Sequence, residues 1–290
     1  MPPSGDPLSG GLSSAPVSGL QELAEGVWVS QTPLWQTNAL LARSGSDALL
    51  CDPCYTPDEI ERLVARARDD GGPIYLLLTH GDFDHTCGIG FLPEAVVVAG
   101  AATATRIASG PAEDELAAAG AEWGVTWPGG LRVDRVVEAG TFECGAFRVE
   151  AIEATGHTTD GLAYVLLNQG VLLPGDYLSE MTYPFIGGGL EATIGTVRRL
   201  LAALAGHDLQ WVVPGHGRIL TPEEATAVGE ADLAYLETLA RAVAEAKAGG
   251  LSPGPALLHV YDVEPPRATT PDFEIYGLRA ANARSVLADA

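Results

Sequence analysis

The sequence predicts an α/β protein, a four-layer αββα sandwich in which two mixed β-sheets pack face to face and helices cover both outer surfaces. Three observations lead to this fold class. Apolar, strand-like runs come in two batches, one before residue 100 and one from Val133 onwards. Ala-rich helical stretches follow each batch, and polar clusters stand at the ends of several strands. Strands in two batches, each followed by helices, suit two packed sheets with the helices outside.

The first twenty residues differ in composition from the rest of the chain. Residues 1–20 are rich in Pro, Gly and Ser without periodicity, which is typical of a disordered tail. We expect order to begin near Leu23. A single domain is then expected over residues 21–290, ending in a helical extension from about residue 222.

The first batch begins with three short strands. Gly26–Ser30, Asn38–Ala42 and Ala48–Cys51 are apolar runs separated by Pro or by Ser-Gly-Ser, and such short connections predict antiparallel neighbours. A helix follows, with Thr56 as its N-cap and Pro57 at its first position. One face of this helix is apolar and consists of Ile60, Leu63, Val64 and Ala67.

The rest of the chain alternates predicted strands and helices. The strands are at 74–78, 95–99, 147–152, 164–167, 171–173 and 211–213, and the helices at 101–108, 112–119, 191–204, 222–248 and 271–288. Residues 120–130 are predicted to form a loop, whose Trp123 and Trp127 either flank a pocket or cap the core. The last two helices are joined by a Pro- and Gly-rich connector, and we expect them to pack on the sandwich.

Four potential metal ligands follow the apolar run 74–78. His80, Asp82, Asp84 and His85 lie within six residues, on the loop that leaves the C-terminal end of this predicted strand. Imidazole and carboxylate groups bind zinc and other first-row metals, so the cluster predicts part of a metal site. A second set, whose members each follow an apolar run and a glycine, would complete the coordination: His157, Asp176 and His216.

This arrangement resembles the metallo-β-lactamase superfamily. The pattern of that family is His-x-His-x-Asp-His, followed by a His, a bridging Asp and a last His. The order, the glycines and the wide spacing all match over most of the chain. Asp82 departs from the pattern, since it stands where the family usually has its second His. The resemblance implies the same αββα fold.

The resemblance also implies two metal positions joined by one carboxylate. It assigns His80, Asp82 and His157 to one metal, Asp84, His85 and His216 to the other, and Asp176 to a bridge between them. Two divalent cations lower the pKa of shared water, so a metal-bridging hydroxide would be the nucleophile and Asp84 and Asp176 the catalytic carboxylates. We therefore expect a metal-dependent hydrolase that cleaves an ester, thioester or lactone of a small molecule.

Asp82 bears on the choice of metal. Two divalent ions per chain are implied, and zinc is the metal we expect, but a carboxylate is a harder ligand than imidazole and also favours iron or manganese. Superfamily members with a carboxylate at this position include di-iron enzymes. The alternative function is therefore a non-haem iron oxidoreductase, di-iron or persulfide-dioxygenase-like. No flavodoxin-like module or Rossmann fingerprint follows, which favours hydrolysis. A third hypothesis is a binding protein with a degenerate metal site.

Further candidate residues lie close to the predicted ligands. Asp52 ends the strand Ala48–Cys51 and matches a family position that often supports the ligand loop; it either orients a ligand histidine or caps the turn at Pro53. Gly187–Gly189 is predicted to form a flexible pocket edge. The candidate substrate-pocket residues follow Asp176 and suit an apolar acyl group or ring nearly as well as core packing: Tyr177, Met181, Tyr183 and Phe185.

Charge and composition restrict the partners. The chain has 38 acidic and 16 basic residues, a net charge of −22, so its field should repel nucleic-acid phosphates and anionic membranes. We expect a small-molecule substrate, no nucleic acid and no membrane. No apolar run is long enough to span a bilayer and no signal-peptide pattern is present, so we expect a cytoplasmic protein. Cys51-x-x-Cys54 is either a redox or zinc pair or two small buried residues.

Overall fold

The first batch of strands forms a seven-stranded mixed sheet in a computed structural model that describes residues 19–53, 56–270 and 277–289. Its strands, in spatial and sequence order, are β1 (Leu20–Ala24), β2 (Val27–Gln31), β3 (Asn38–Ser44), β4 (Asp47–Cys51), β5 (Ile74–Leu77), β6 (Val96–Gly100) and β7 (Arg135–Val137). Strands β1 to β4 are antiparallel and β4 to β7 are parallel. The antiparallel pairing predicted for the three short strands is confirmed.

The second batch forms a five-stranded sheet. Its strands are β8 (Gly140–Cys144), β9 (Phe147–Glu153), β10 (Leu162–Leu166), β11 (Val171–Leu173) and β12 (Trp211–Val212), in the spatial order β12-β11-β10-β9-β8. The first four strands pair antiparallel, and β12 pairs parallel with β11.

Eight helices are present among the described residues, besides a 3-10 turn at Ile89–Phe91. They are α1 (Pro57–Arg68), α2 (Phe83–Thr86), α3 (Ala101–Ser109), α4 (Pro111–Trp123), α5 (Leu190–Gly206), α6 (Pro222–Ala248), α7 (Pro253–Tyr261) and α8 (Leu278–Ala288). Helix α1 has the predicted start, because Thr56 and Glu59 form a capping box. Its predicted apolar face is the buried face.

Three apolar clusters separate four layers. The central cluster lies between the two sheets and includes Leu40, Leu49, Phe147 and Tyr164. The second lies between the seven-stranded sheet and helices α1, α3 and α4, and the third joins the five-stranded sheet to α5, α6, α7 and α8. Burial of apolar surface on both faces of each sheet is what holds this arrangement together. The predicted αββα fold class is confirmed.

Several predicted boundaries are wrong. The edge strand β1 begins at Leu20, close to the start expected near Leu23, and residues 1–18 of the predicted tail lie outside the described range. Helix α4 continues through Gly120 to Trp123, because the left-handed residue that ends it is Gly124, with φ of 66°. The Pro- and Gly-rich connector, for which no helix was predicted, contains α7, which begins with Ser252 as N-cap and Pro253 at its first position.

Three of the four cysteines and most of the last predicted helix lie within the described residues. Cys51, Cys87 and Cys144 are buried, whereas Cys54 lies outside the described residues. Residues 271–276, the start of the helix predicted at 271–288, are also outside them. Within the described part of the chain, no helix combines the length and the apolar character needed to cross a membrane.

Candidate metal centre

The predicted ligands meet at one edge of the sandwich. His80 follows β5, and the short helix α2 presents Asp84 and His85 one turn later. His157 lies on the β9–β10 loop, and Asp176 and His216 follow β11 and β12. Because the two sheets pack face to face, residues more than one hundred positions apart in the sequence come within contact distance here.

Two groups of side chains could each hold a metal ion. His80, His157 and Asp176 form one group, and the ligand atoms of these residues lie within 4.8 Å of one another. Asp84, His85 and His216 form the other group under the same limit, and all three are buried. The second group is the set that the resemblance assigned to one metal. The first group combines His80 and His157 of the other set with Asp176, the expected bridge, and does not include Asp82.

Asp176 lies between the two groups. Its Oδ2 is 3.3 Å from Nε2 of His157 and 3.3 Å from Nε2 of His216. Its Oδ1 is 3.1 Å from Nε2 of His85. The carboxylate therefore faces both candidate metal positions, which is the geometry that a bridging ligand requires.

Asp82 divides its two carboxylate oxygens between different partners. Oδ2 is 3.3 Å from Nε2 of His80 and 3.4 Å from Nε2 of His157. Oδ1 is 2.7 Å from Nη2 of Arg106, a residue of α3 that lies outside the predicted ligand motif. One oxygen of Asp82 thus faces the first candidate metal position and the other faces a cation.

The far nitrogens of the histidine rings have defined neighbours. Nδ1 of His85 is 3.1 Å from Oδ2 of Asp52, a buried carboxylate that also accepts hydrogen bonds from the Thr79 backbone N–H and hydroxyl. Nδ1 of His216 is 3.0 Å from the Trp35 carbonyl oxygen. The nearby carbonyl oxygen and carboxylate favour a proton on Nδ1 of each ring, so that Nε2 is the atom that faces the candidate metal positions, although Nδ1 of His85 and Asp52 are close without hydrogen-bond alignment. Asp52 adopts a left-handed backbone, with φ of 47°, and its position beside His85 suits the histidine-orienting alternative.

The donor set fits metal ions. Nε2 of His80, Nε2 of His85 and Oδ1 of Asp176 are buried without a hydrogen-bond partner in the described structure. Buried polar atoms are rarely left in this state, because the loss of their hydration is unfavourable. Imidazole nitrogens and carboxylate oxygens that converge in this way form a suitable ligand set for zinc, iron or manganese.

The protonation of the centre follows the same charges. Burial opposes protonation of His85, but Asp84, Asp176 and Asp52 raise its pKa well above the usual range. Burial likewise opposes protonation of His216, yet Asp176 and Asp84 raise its pKa to about 10. Burial disfavours ionised Asp176, but the neighbouring histidines hold its pKa well below the usual range. The centre attracts positive charge strongly, so protons and metal ions compete for the same nitrogens.

A cavity of about 560 Å³ opens over the centre. Asp82, Asp84, His157, Asp176 and His216 are at its base. Its walls are mainly apolar and aromatic, formed by Trp35, Phe83, Ala118, Ala119, Trp123, Tyr183, Phe185 and Leu278. The two tryptophans predicted either to flank a pocket or to cap the core therefore differ. Trp123 lines the pocket and also packs against the core, whereas Trp127 is buried in the core.

Two of the four predicted pocket residues do not line this cavity. Tyr183 and Phe185 do line it, and the Phe185 ring lies edge-on to His157 with 5.6 Å between centroids. Tyr177 is instead buried below the His157 loop: its hydroxyl accepts a hydrogen bond from the His157 backbone N–H at 2.7 Å and donates one to the Thr155 carbonyl oxygen at 2.9 Å. Met181 is also buried away from the cavity.

The wall opposite α4 is held by the C-terminal helices. Asn282 of α8 donates a hydrogen bond to the Pro184 carbonyl oxygen and accepts one from the Ile186 backbone N–H, at 2.8 and 2.9 Å. Gly187 and Gly188 hydrogen-bond through their backbone N–H groups to the His157 loop. A Cβ at Gly187 would lie 2.4 Å from the His157 carbonyl oxygen, so these glycines permit close packing rather than forming the flexible edge expected from the sequence.

Comparison with known proteins gives the same fold. The sequence model of the metallo-beta-lactamase superfamily matches residues 32–216. None of the curated proteins is similar enough to match. The solved structures that resemble the chain include a metallo-beta-lactamase from Erythrobacter litoralis, which is 19% identical and has a TM-score of 0.54, with 73% of this chain and 95% of that chain covered.

Two other similar structures contain different metals. FIM-1 from Pseudomonas aeruginosa, in a mono-zinc form, is 18% identical with a TM-score of 0.53 and coverage of 73% of this chain and 94% of that chain. The protein TTHA1623, in a di-iron-bound form, is 25% identical with a TM-score of 0.52 and coverage of 68% and 95%. The fold is therefore shared by proteins that were solved with zinc and with iron.

Proposed function

Because this chain belongs to the metallo-beta-lactamase superfamily, we propose that it is a metal-dependent hydrolase that cleaves an ester, thioester or lactone of a small, uncharged molecule. The observation that carries this proposal is the position of Asp176, which lies 3.3 Å or less from histidines of both candidate metal groups. Two ligand groups that share one carboxylate are suited to a dinuclear centre.

Two divalent cations, when bound, supply an activated water molecule and a Lewis acid at neutral pH. The protein residues hold the ligands and shape the pocket. Asp84 and Asp176 would offset the positive charge of the bound metals, and both residues contribute to the base of the cavity. No serine or cysteine is required as an attacking group, and the buried thiol of Cys87 in particular faces the Pro53 carbonyl oxygen rather than the cavity.

The walls of the cavity support an apolar substrate. Trp35 and Trp123 pack edge to face with 5.5 Å between ring centroids, and Tyr183 and Phe185 stand on the opposite wall. Flat apolar walls favour an acyl chain or a ring.

The charges of the cavity support an uncharged substrate. Arg106 is the one arginine or lysine among the described lining residues, and it contacts Asp82, Glu115 and Asp160. Because these three carboxylates already occupy the guanidinium group, a carboxylate or phosphate on the substrate would meet no basic side chain that is available to bind it.

Metal analysis combined with hydrolysis tests the proposal. The purified chain is expected to contain about two zinc or manganese ions. It should hydrolyse neutral aryl esters or lactones, lose this activity with a chelator, and regain it with metal. A matched substrate pair, one neutral and one with a terminal carboxylate on the acyl chain, should show a clear preference for the neutral member.

The matched variants are two histidine substitutions. His216→Ala should lose metal and activity, whereas His259→Ala should retain both, because His259 is exposed on α7 and contacts only Glu245 in the described structure. Equal behaviour of the two variants would contradict the proposal.

An iron oxidoreductase is the second candidate. The observation that favours it is the contact of the Asp82 oxygen with both His80 and His157, since carboxylate ligation favours iron and manganese. TTHA1623, solved in a di-iron-bound form, is similar over 68% of this chain. Bound iron with a visible absorption band, without esterase or lactonase activity, would support this candidate over the hydrolase. A chain that binds no metal would support the binding-protein hypothesis.

A further inference from the structure

Arg106 reaches the ligand loop from outside the motif. It lies on α3, well after the ligand loop in the sequence, and its side chain is 20% exposed. Nη2 of Arg106 is 2.7 Å from Oδ1 of Asp82. The other oxygen of the same carboxylate faces His80 and His157. The guanidinium group therefore lies on the side of Asp82 that faces away from the first candidate metal position.

A buried aspartate connects Arg106 to the ligand loop a second time. The Asp160 side chain is 4% exposed, and its Oδ1 is 3.3 Å from Nη1 of Arg106. Its Oδ2 accepts a hydrogen bond at 3.0 Å from the backbone N–H of Gly81, the residue between His80 and Asp82. The Thr103 hydroxyl of α3 donates a hydrogen bond to the Asp160 carbonyl oxygen at 2.8 Å. Helix α3, the His157 loop and the ligand loop are thereby joined.

Gly81 provides the space that this arrangement needs. A Cβ at position 81 would lie 2.9 Å from Cδ of Arg106 and 2.8 Å from Oδ2 of Asp160. Both distances are shorter than a carbon atom tolerates, so a side chain at position 81 would displace Arg106 or Asp160. The glycine between the first two ligands is accounted for by the close approach of these two residues.

Arg106 forms an ion pair with Asp82, the one residue that departs from the superfamily pattern. Where the superfamily usually has a neutral histidine, this chain has a carboxylate, which lowers the net charge of the centre by one. The guanidinium group beside it raises the local charge by one. Arg106 lines the cavity together with Asp82 and also contacts Glu115 and Asp160, so its charge is shared among three carboxylates.

We propose that Arg106 is the positioning residue for Asp82: it holds Oδ1, so that Oδ2 faces the metal position at His80 and His157. This inference rests on the proposed metal centre. It predicts that Arg106 matters to metal binding only while position 82 is an aspartate.

A double-mutant cycle tests this dependence. The four proteins are the parent, Arg106→Gln, Asp82→His and the double variant, each prepared without metal and titrated with zinc and with manganese against a chelator. In the parent background, Arg106→Gln should weaken metal binding roughly 10- to 100-fold, as expected for the loss of a partner that orients a ligand. In the Asp82→His background, the same change should alter metal affinity by no more than about twofold, because a neutral imidazole at position 82 does not pair with the guanidinium group. Asp82→His should also shift the preference towards zinc over manganese.

The controls separate a positioning role from a structural one. Arg198→Gln removes an exposed ion pair with Glu237 and should leave metal affinity unchanged in both backgrounds. Arg106→Lys keeps the charge and should recover part of the affinity in the parent background; it also carries the comparison if the glutamine variant does not fold. Circular dichroism of the metal-free proteins reports folding.

Two results would overturn the inference. Equal losses of affinity from Arg106→Gln in both backgrounds would show that Arg106 acts only through the fold, and no loss in the parent background would show that Asp82 needs no partner. The inference and the proposed function fail separately: a parent that binds two metals with the predicted coupling but hydrolyses no ester or lactone contradicts the hydrolase alone.

Discussion

Asp52→Asn should weaken metal binding while leaving the fold nearly intact. The Asp52 carboxylate accepts hydrogen bonds from the Thr79 backbone N–H and hydroxyl, at 2.9 and 2.6 Å, and its Oδ2 is also 3.1 Å from Nδ1 of His85. An amide has one oxygen. If this oxygen remains on the Thr79 N–H, the NH₂ group faces His85, whose Nδ1 must then accept a hydrogen bond and can no longer carry the ring proton. The ring proton moves to Nε2, the atom that faces Asp176 and the metal position.

The size of the effect follows from these contacts. Loss of a partner that fixes the tautomer of a ligand costs roughly 10- to 100-fold in metal affinity. That loss corresponds to about 1.4–2.7 kcal/mol. Stability of the metal-free fold should fall by less than about 3 kcal/mol, the value of one hydrogen bond to a charged group. Asparagine also tolerates the left-handed backbone at this position, with φ of 47°. Asp52→Ala is less informative, because it leaves all three donors without an acceptor.

The assay is zinc titration of the metal-free protein against a chelator, with urea unfolding measured in parallel. The matched control is Asp47→Asn, since Asp47 also accepts a backbone N–H, from Ala146 at 2.9 Å, but lies away from the centre. The control should retain the parent affinity. An affinity of Asp52→Asn within about twofold of the parent would refute the reasoning, because Asp52 would then have no part in setting the His85 tautomer.

Three other predictions follow from single features. Asp176→Ala should lose at least one metal per chain and most activity while circular dichroism shows an intact fold; unchanged metal content would contradict the bridging position. Burial raises the pKa of Asp232 from 3.8 to about 7 despite the Arg267 ion pair, so the folded state favours the protonated acid and loses stability as pH rises from about 4 to about 7. The melting temperature of Asp232→Asn, relative to the parent, should therefore rise between pH 5 and pH 8, and a constant difference would oppose this. The net charge of −22 predicts negligible binding of DNA or RNA at moderate salt, and salt-sensitive micromolar binding in a filter or fluorescence assay would be evidence against it.

Local sequence patterns were sufficient for most of the strands and helices and for the candidate ligands at the strand ends. Helix α1 could be predicted because its cap, its first proline and its apolar face all lie within twelve consecutive residues. The candidate ligands could be predicted because each directly follows a strand, and strand ends of packed sheets meet at an edge. The end of α4 was missed because Gly120 is compatible with a helix. Helix α7 was missed because a Pro-rich segment, which usually indicates a connector, can also begin a helix.

Contacts between distant residues depended on the tertiary structure. Nothing near Arg106 in the sequence indicates that its guanidinium group meets Asp82, and nothing near Asn282 indicates that it holds Pro184 and Ile186, which lie 98 and 96 positions away. Whether Tyr177 faces the pocket or the core could likewise not be predicted, because a tyrosine that follows a strand suits either position. Residue type and spacing determine which groups a strand or helix presents. Which of those groups meet is determined by how the two sheets and their outer helices pack, and that packing sums many weak apolar contacts that no single stretch of sequence contains.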